Sequence, residues 1–187
     1  WLNLIGISLD LGPPYDATRL GDAVGRMDPV DIRRHLLGGY AWSWCTLAGA
    51  DTIDAAAAGD RAAGRKLLAH ERYYAGRARD SLSVLLPLDP AKTRDRLAHA
   101  LTVGRRHLIE PRDDLAAALD AAAGAASSAL AEDTLADAIE HVTEGYRYIP
   151  EAEAERVLLI PHVQPEPWLV LAQHRATRLI VYQARAA

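Results

Sequence analysis

Few side chains in this sequence have the types and spacing that chemistry requires. Cys45 is the single cysteine, so an intramolecular disulfide and a cysteine-cluster zinc site are excluded. It stands between Trp44 and Thr46 on a predicted buried helix, which favours a structural thiol over a reactive one. The sequence contains no GxSxG nucleophile motif and no glycine-rich phosphate-binding loop after a predicted strand. The pattern therefore predicts a protein that is not an enzyme and that uses no cofactor.

One pair of side chains has the spacing of metal ligands. Asp137 and His141 stand four residues apart on a predicted helix, and a further ligand would complete a zinc site. The residues that could supply this ligand are His162, Glu166 and His174. Acids and histidines at this spacing are also common on solvated helix faces. We therefore predict no metal site and keep Asp137 and His141 as weak candidates.

The aromatic residues favour a binding function. The sequence has no phenylalanine, so four Trp and seven Tyr supply all of its aromatic surface. Aromatic side chains with polar tips commonly line small-molecule pockets, although they also fill protein cores. The candidates for an apolar ligand pocket are Tyr40, Trp44, Tyr73, Tyr74 and Trp168. Tyr40 and Trp44 share one face of a predicted helix, whereas Trp42 points elsewhere and is a candidate for a dimer surface.

Composition limits the functional classes further. The 187 residues are 50% hydrophobic, which is enough to bury the core of one domain. The formal net charge is -4, so DNA binding by these residues alone is disfavoured. We find no apolar run of about 20 residues and no signal peptide, and the single cysteine favours a cytoplasmic protein. The chain begins at Trp1 without an initiator methionine, so we expect it to be an excerpt.

Capping signals and apolar spacings predict a helical body over residues 1–145. Residues 1–12 are apolar and predict a buried helix or strand. Helix starts are predicted at Asp28 with Pro29, at Asp89 with Pro90 and at Glu110 with Pro111, since proline is favoured at the first helical position. The first of these helices is expected to continue to Leu47, although Gly38 and Gly39 would weaken or bend it. Residues 51–69 and 135–144 also have helical spacing.

A further long helix is predicted between residues 71 and 86. Its apolar stripe consists of Tyr74, Ala78, Leu82 and Leu85, and Pro87 is expected to end it.

After Gly145, a predicted C-cap, the apolar spacing changes from that of helices to that of strands. Strands are predicted at 146–149, 157–160 and 177–182, and either a strand or a short helix at 168–171. We expect 157–160 to be fully buried, and the following prolines prevent it from continuing as a helix or as a mid-sheet strand. The predicted fold class is α+β, mostly α, with six or seven helices followed by a small sheet. Residues 1–145 would form the helical body and 146–187 a sheet packed on it, in one structural domain.

The C-terminal segment carries a distinctive order of residues. A helix ends near a glycine and is followed by Tyr-x-Pro-Glu, an apolar strand ending in Ile-Pro, a Pro-Trp pair, an arginine-containing turn and a strand ending in tyrosine. The residues concerned are Gly145, Tyr148, Pro150, Glu151, 157–161, Pro167, Trp168, Arg175 and Tyr182. This order resembles a segment of bacterial ArsR-like winged-helix transcription regulators over about 45 residues. Gln183 stands where a proline is usual in those chains.

The resemblance implies the effector-sensing and dimerisation region of a bacterial transcription regulator. The winged helix would follow the Tyr-Pro strand, so DNA would be bound only by a domain outside residues 1–187. We expect a homodimer, a small apolar ligand as a further partner and no membrane association. Metal chemistry is not implied, because metal-sensing members use cysteine pairs. The alternative is a small-molecule-binding enzyme or hydrolase without a recognisable motif, whose first candidate residues are His107, Glu110, Asp137 and His141.

Overall fold

The chain has an α+β fold, which confirms the predicted class. Our computed structural model describes residues 2–13, 15, 17–110, 112–164 and 166–184, in which ten α-helices precede a three-stranded sheet. The chain divides into two compact units, Trp1–His107 and Leu108–Ala187. The division thus lies before the last two helices rather than at Gly145, because these helices contact each other and the sheet.

The regular elements described in the first unit are all helical. Its helices are α1 Leu2–Leu11, α2 Ala17–Arg26, α3 Pro29–Leu36, α4 Trp42–Ala48, α5 Ala50–Ala57, α6 Arg61–Ala69, α7 Ala78–Leu82 and α8 Pro90–Gly104. A 3₁₀ turn, Tyr73–Gly76, precedes α7, and a π-helical turn, Arg105–Ile109, follows α8. The carboxylates of Asp28, Asp60 and Asp89 cap α3, α6 and α8 by accepting backbone N–H groups, as the two Asp-Pro pairs predict.

Two apolar clusters form the core of the first unit. The first contains Leu4, Ile7, Val24 and Ile32 and joins α1, α2 and α3, with α8 packed against it. The second contains Leu37, Ile53, Leu67, Tyr73 and Leu82, with alanines of α4, α5 and α7 between them. Alanine permits these short helices to approach closely.

Two helix predictions in this unit are wrong. The helix expected from Asp28 to Leu47 ends at Leu36, and a turn through Gly38 separates α3 from α4, because Gly38 takes a φ of +71°. The helix expected over 71–86 is replaced by the 3₁₀ turn and the short α7. A further break at Gly59 divides the helical segment 51–69 into α5 and α6. Helix α2 was not predicted. The described residues therefore contain more helices than the six or seven predicted.

The second unit combines two helices with the sheet. Its elements are α9 Asp113–Glu132, α10 Leu135–Thr143, β1 Arg156–His162, β2 Leu169–His174 and β3 Thr177–Gln183. The strand order is β1-β3-β2, with β1 parallel and β2 antiparallel to β3. Pro111, the predicted helix start, lies outside the described residues, and α9 begins at Asp113.

The positions of the strands correct two further expectations. Residues 146–149 form no strand, because Tyr148 turns inward to pack with Ile139 of α10 and Ile180 of β3. Residues 157–160 do form a strand but are only half-buried, because β1 lies at an edge of the sheet. The edge position also explains how β1 contains Pro161, since proline lacks the N–H group that an inner strand needs. None of the helices in the described ranges is both long enough and apolar enough to cross a bilayer.

Candidate functional site

Three aromatic side chains of the first unit pack into one cluster, which we call the aromatic cluster: Trp44, Tyr73 and Tyr74. The rings of Trp44 and Tyr74 are stacked, with centroids 5.2 Å apart and an interplanar angle of 7°. Tyr73 meets Trp44 edge-on at 5.5 Å and meets Tyr74 edge-on at 4.9 Å. Both geometries are favourable for aromatic pairs. The cluster is therefore a specific arrangement of rings.

The turn after α3 shapes one side of the aromatic cluster. A Cβ at Gly38 would lie 2.5 Å from Cδ1 of Trp44, so the indole ring fits only because residue 38 has no side chain. The hydroxyl of Tyr73 donates to the carbonyl of Leu37, and that of Tyr74 donates to the carbonyl of Leu36. These carbonyls belong to the C-terminal end of α3, where helical partners are lacking. The two tyrosines thus tie their own turn to the end of α3.

The turn that carries the two tyrosines is strained. Tyr74 has φ 53° and ψ 39°, and the next residue, Ala75, has φ 53° and ψ 37°. Left-handed backbone of this kind costs about 1–3 kcal/mol at each residue other than glycine. The hydrogen bonds and ring contacts of Tyr73 and Tyr74 offset that cost. Strain of this kind persists where the surroundings fix it, and it clusters at ligand-binding and switch sites.

Burial keeps the polar groups near the aromatic cluster uncharged. Burial raises the pKa of the Tyr73 phenol well above its usual range, and the neighbouring Tyr74 adds to the shift. Burial also raises the pKa of the Cys45 thiol, which donates to the carbonyl of Gly39 at 3.3 Å. A thiol in this state is a poor nucleophile. The polar groups beside the cluster are thus uncharged, and Cys45 is not an activated nucleophile.

The other predicted pocket residues, Tyr40 and Trp168, have different surroundings. Because α3 ends at Leu36, Tyr40 lies in the turn, and its ring packs on His35 with centroids 4.4 Å apart. Trp168 belongs to the second unit and is 52% exposed. Trp42, the predicted dimer-surface residue, is half-buried at the first position of α4. Three of the five predicted pocket residues are therefore brought together. Trp168 is exposed, whereas Trp42 is half-buried.

Asp137, one of the two weak metal candidates, has a structural role. Asp137 accepts a hydrogen bond from the hydroxyl of Thr134, and its own N–H donates back to the Thr134 oxygen, which caps α10. His141 is exposed on the same helix. Within the ranges that the structure describes, no three histidine, cysteine, aspartate or glutamate side chains are grouped as metal ligands. His107 and Glu110, the other candidates of the enzyme alternative, are exposed near the end of the π-helical turn.

Arg33 is a buried residue that the sequence analysis missed. It is 1% exposed, and its guanidinium donates to the carbonyls of Ala56, Leu86 and Leu88 at 3.1 Å. Its Nε has no hydrogen-bond partner among the described residues, and burial lowers the pKa of the group. Arg34 beside it is partly exposed and pairs with Asp31 and Asp54. The sequence has no signal that distinguishes these two adjacent arginines.

The residues of the C-terminal sequence pattern occupy defined positions in the second unit. Gly145, with φ +116°, follows α10, and Tyr148 is buried against α10 and β3. Glu151 accepts two hydrogen bonds from the guanidinium of Arg178 in β3. The hydroxyl of Tyr182 donates to the carbonyl of Ala122 in α9 at 2.9 Å. No family model, curated protein or solved structure matches the chain.

Proposed function

We propose that this chain is the effector-sensing and dimerisation region of a bacterial transcription regulator that binds DNA through a winged helix outside residues 1–187. The observation that carries the proposal is the position of the C-terminal pattern. Tyr148 and Tyr182 join the sheet to α10 and α9, while Glu151 holds Arg178 of the central strand. Three residues of the pattern that resembles ArsR-like regulators, Tyr148, Glu151 and Tyr182, thus hold elements of the second unit together.

The aromatic cluster supports effector sensing. Tyr74 is half-buried, its ring covers the indole of Trp44, and its backbone is strained. A flat apolar molecule that replaced the Tyr74 ring on Trp44 would release that turn from its left-handed conformation. Because the same turn is bonded to the end of α3, binding would change the packing of a central helix. A ligand must favour one of two arrangements to act as an effector, and this exchange of rings supplies the two arrangements.

The second unit supports dimerisation. Trp168 lies just before β2 and is 52% exposed, and Leu171 lies in β2 and is 43% exposed. Strand β2 is an edge strand. Exposed tryptophan is enriched at protein interfaces. The edge formed by β1 contains Pro161, which hinders pairing with another strand, whereas β2 contains neither proline nor a charged Lys, Arg, Asp or Glu. We therefore assign the dimer surface to the β2 side of this unit and not to Trp42.

Dimerisation is tested by fusing residues 1–187 to a monomeric DNA-binding domain that represses a reporter only when it is paired. The fusion should repress the reporter, and the purified chain should sediment as a dimer at micromolar concentration. The double variant Trp168→Ser/Leu171→Ser should weaken both effects at least tenfold. Val84→Ser is the matched control, because Val84 is 70% exposed in the first unit. A functional dimer should have a dissociation constant below about 100 μM. A chain that stays monomeric at about that concentration contradicts this part of the proposal.

Effector sensing is tested with indole as the probe, measured by isothermal titration calorimetry. If the probe takes the place of the Tyr74 ring, Tyr74→Leu should bind indole at least fivefold more tightly than the unsubstituted chain. Tyr40→Leu is the matched control, since Tyr40 packs on His35 and should leave indole binding unchanged. Absence of indole binding in both the unsubstituted chain and Tyr74→Leu would refute this location for the effector.

A further inference from the structure

A strongly basic surface lies on the first unit, in the segment 61–79, which we call the basic segment. Its cationic residues are Arg61, Arg65, Lys66, Arg72, Arg77 and Arg79, and its single acid is Glu71. The formal charge of the segment is therefore +5, whereas the rest of the chain carries -9. All six cationic residues are exposed. The basic segment is thus opposite in charge to the chain as a whole.

The cations of the basic segment are not paired with the carboxylates that flank it, those of Asp60 and Asp80. No ion pair to its six cations forms among the described residues, and Lys66 only meets the hydroxyl of Thr52 at 3.4 Å. Asp60, the nearest preceding acid, uses its carboxylate to cap α6. Arg34 and Arg94 of the same unit, by contrast, pair with aspartates at 2.7–2.9 Å. The cations of the basic segment therefore remain available to an external anion.

The elements that carry these cations are neighbours. Helix α6 carries Arg61 and Arg65 one turn apart, and α6 contacts α7, which carries Arg79. Arg72 and Arg77 flank the strained turn, which also contacts α7. That turn is tight, because a Cβ at Gly76 would lie 3.0 Å from the carbonyl oxygen of Glu71. The six charges therefore lie on elements that contact one another.

The chemistry of the basic segment selects one class of partner. Five of its six cations are arginines, whose planar guanidinium binds phosphate oxygens in pairs. A membrane surface would require exposed apolar side chains beside the cations, as an interfacial helix has. The exposed residues of the basic segment are only Arg, Lys, Glu, Ala and Gly. Exposed arginines without an apolar face favour a nucleic-acid backbone over a bilayer.

We propose that the basic segment binds the phosphate backbone of duplex DNA, independently of base sequence, next to the site bound by the winged helix. The inference rests on the proposed function, because only a regulator brings this unit to DNA. It departs from the expectation that DNA is contacted solely through a domain outside these residues. Phosphate contacts of this kind fix orientation on the duplex and add affinity that falls steeply with salt.

The test is fluorescence anisotropy of a labelled 24-base-pair duplex of arbitrary sequence with the whole chain, in 25–150 mM NaCl. Binding should weaken with salt with a logarithmic slope of about -5, since six phosphate contacts would each contribute about 0.9. The variant Arg61→Gln/Arg65→Gln/Arg72→Gln/Arg77→Gln should bind at least tenfold more weakly at 50 mM NaCl. Its logarithmic slope should be smaller by about 4, because four of the six contacts are lost.

The matched control is Arg26→Gln/Lys92→Gln/Arg96→Gln/Arg106→Gln. These are four exposed cations of the same unit outside the basic segment. The control should bind DNA within threefold of the unsubstituted chain, and both variants should keep the circular dichroism of the folded chain. Equal losses in the two variants, or no binding of the duplex at 25 mM NaCl, would overturn the inference. Equal affinity for poly-glutamate, or for vesicles containing phosphatidylserine, would overturn it in favour of an acidic protein or a membrane.

The two proposals fail separately in these experiments. Dimerisation is measured by sedimentation in the absence of DNA and depends on the β2 side of the second unit. Loss of duplex binding with an intact dimer contradicts the inference about the basic segment alone. A monomeric chain that still binds the duplex through the basic segment contradicts the proposed dimerisation alone.

Discussion

The two units of the chain each bury an arginine, but they satisfy its charge differently. In the second unit, Arg178 is 7% exposed and donates to the carboxylate of Glu151, so the charge is paired. In the first unit, Arg33 donates to three backbone carbonyls, and the nearby charge of Asp89 only partly counters the effect of burial on its pKa. Carbonyl dipoles hold Arg33 at a defined point between α5 and the 86–88 turn without cancelling its charge.

The two units also differ in net charge. Residues 1–107 contain fifteen basic and twelve acidic residues, whereas residues 108–187 contain six basic and thirteen acidic residues. The first unit is therefore net positive and the second net negative. This separation is averaged out in the net charge of -4 for the whole chain. Charge calculated over a whole chain is thus a poor guide to which anionic partners one of its units can meet.

Substitution of Arg33 should have the largest effect on stability. In Arg33→Met the carbonyls of Ala56, Leu86 and Leu88 lose their shared donor inside the first unit. We expect the free energy of unfolding to fall by about 3–5 kcal/mol, which is typical when buried polar groups lose their partner. Urea unfolding followed by tryptophan fluorescence measures this change. Arg34→Met is the control and should cost no more than about 1 kcal/mol, because its ion pairs are partly exposed.

Removal of the charge of Glu151 should have a smaller effect on the second unit. Glu151→Gln replaces the charged acceptor of Arg178 with an uncharged amide, while the carbonyl of Ala172 still accepts from Arg178. The carboxylate that is replaced is one-third exposed. We expect a loss of about 2 kcal/mol in the free energy of unfolding, less than for a fully buried pair. Glu153→Gln alters an exposed carboxylate near Glu151 and should change the free energy of unfolding by less than about 0.5 kcal/mol. If Glu151→Gln cost as much as Arg33→Met, the contrast between the two arginines would be wrong.

High pH should destabilise the chain through its buried tyrosines. Burial raises the pKa of Tyr73 in the first unit and of Tyr182 in the second above the ordinary value of 10.0. Above pH 10 the unfolded chain releases these protons while the folded chain retains them, so the stability is complete below pH 10 and is lost as the pH rises. Each such group contributes about 1.4 kcal/mol per pH unit.

The contribution of Tyr73 is tested by measuring the free energy of unfolding of Tyr73→Phe between pH 9 and pH 11.5. This variant should lose its hydrogen bond to Leu37 at neutral pH, at a cost of about 1 kcal/mol. Its stability should then fall less steeply with pH than that of the unsubstituted chain, by about 1.4 kcal/mol per pH unit. Parallel curves for the two chains would show that Tyr73 titrates normally in the folded state.

The sequence predicts those parts of the fold that depend on local signals. The Asp28 and Asp89 caps, the strand at 177–182 and the α+β order follow from capping chemistry and run length, which act within a few residues. The break near residue 74 does not follow, because its helical spacing is overridden by hydrogen bonds to Leu36 and Leu37, which are more than 30 residues away.

The candidate site shows the same limit. The sequence identifies Trp44, Tyr73 and Tyr74 as aromatic candidates. Their packing depends on a turn at Gly38, where the apolar spacing predicts a continuous helix. Arg33 and Arg34 differ in burial only because α3 turns one toward Leu86 and Leu88 and the other toward Asp54. Contacts of this kind are set by tertiary packing, which the order of residues along a single helix does not reveal.

The smallest effect concerns the strained turn of the first unit and should have the opposite sign. Ala75 is exposed with φ 53°, a conformation that glycine adopts without steric cost. Ala75→Gly should therefore raise the free energy of unfolding by about 0.5–1 kcal/mol, measured by urea unfolding, despite the greater freedom of glycine in the unfolded chain. The matched control is Ala100→Gly, an exposed position in the middle of α8, which should lose about 1 kcal/mol. If both substitutions destabilised the chain equally, the turn at Tyr74 and Ala75 would not be strained. A flat ligand that binds on Trp44 could then not act by releasing strain in this turn.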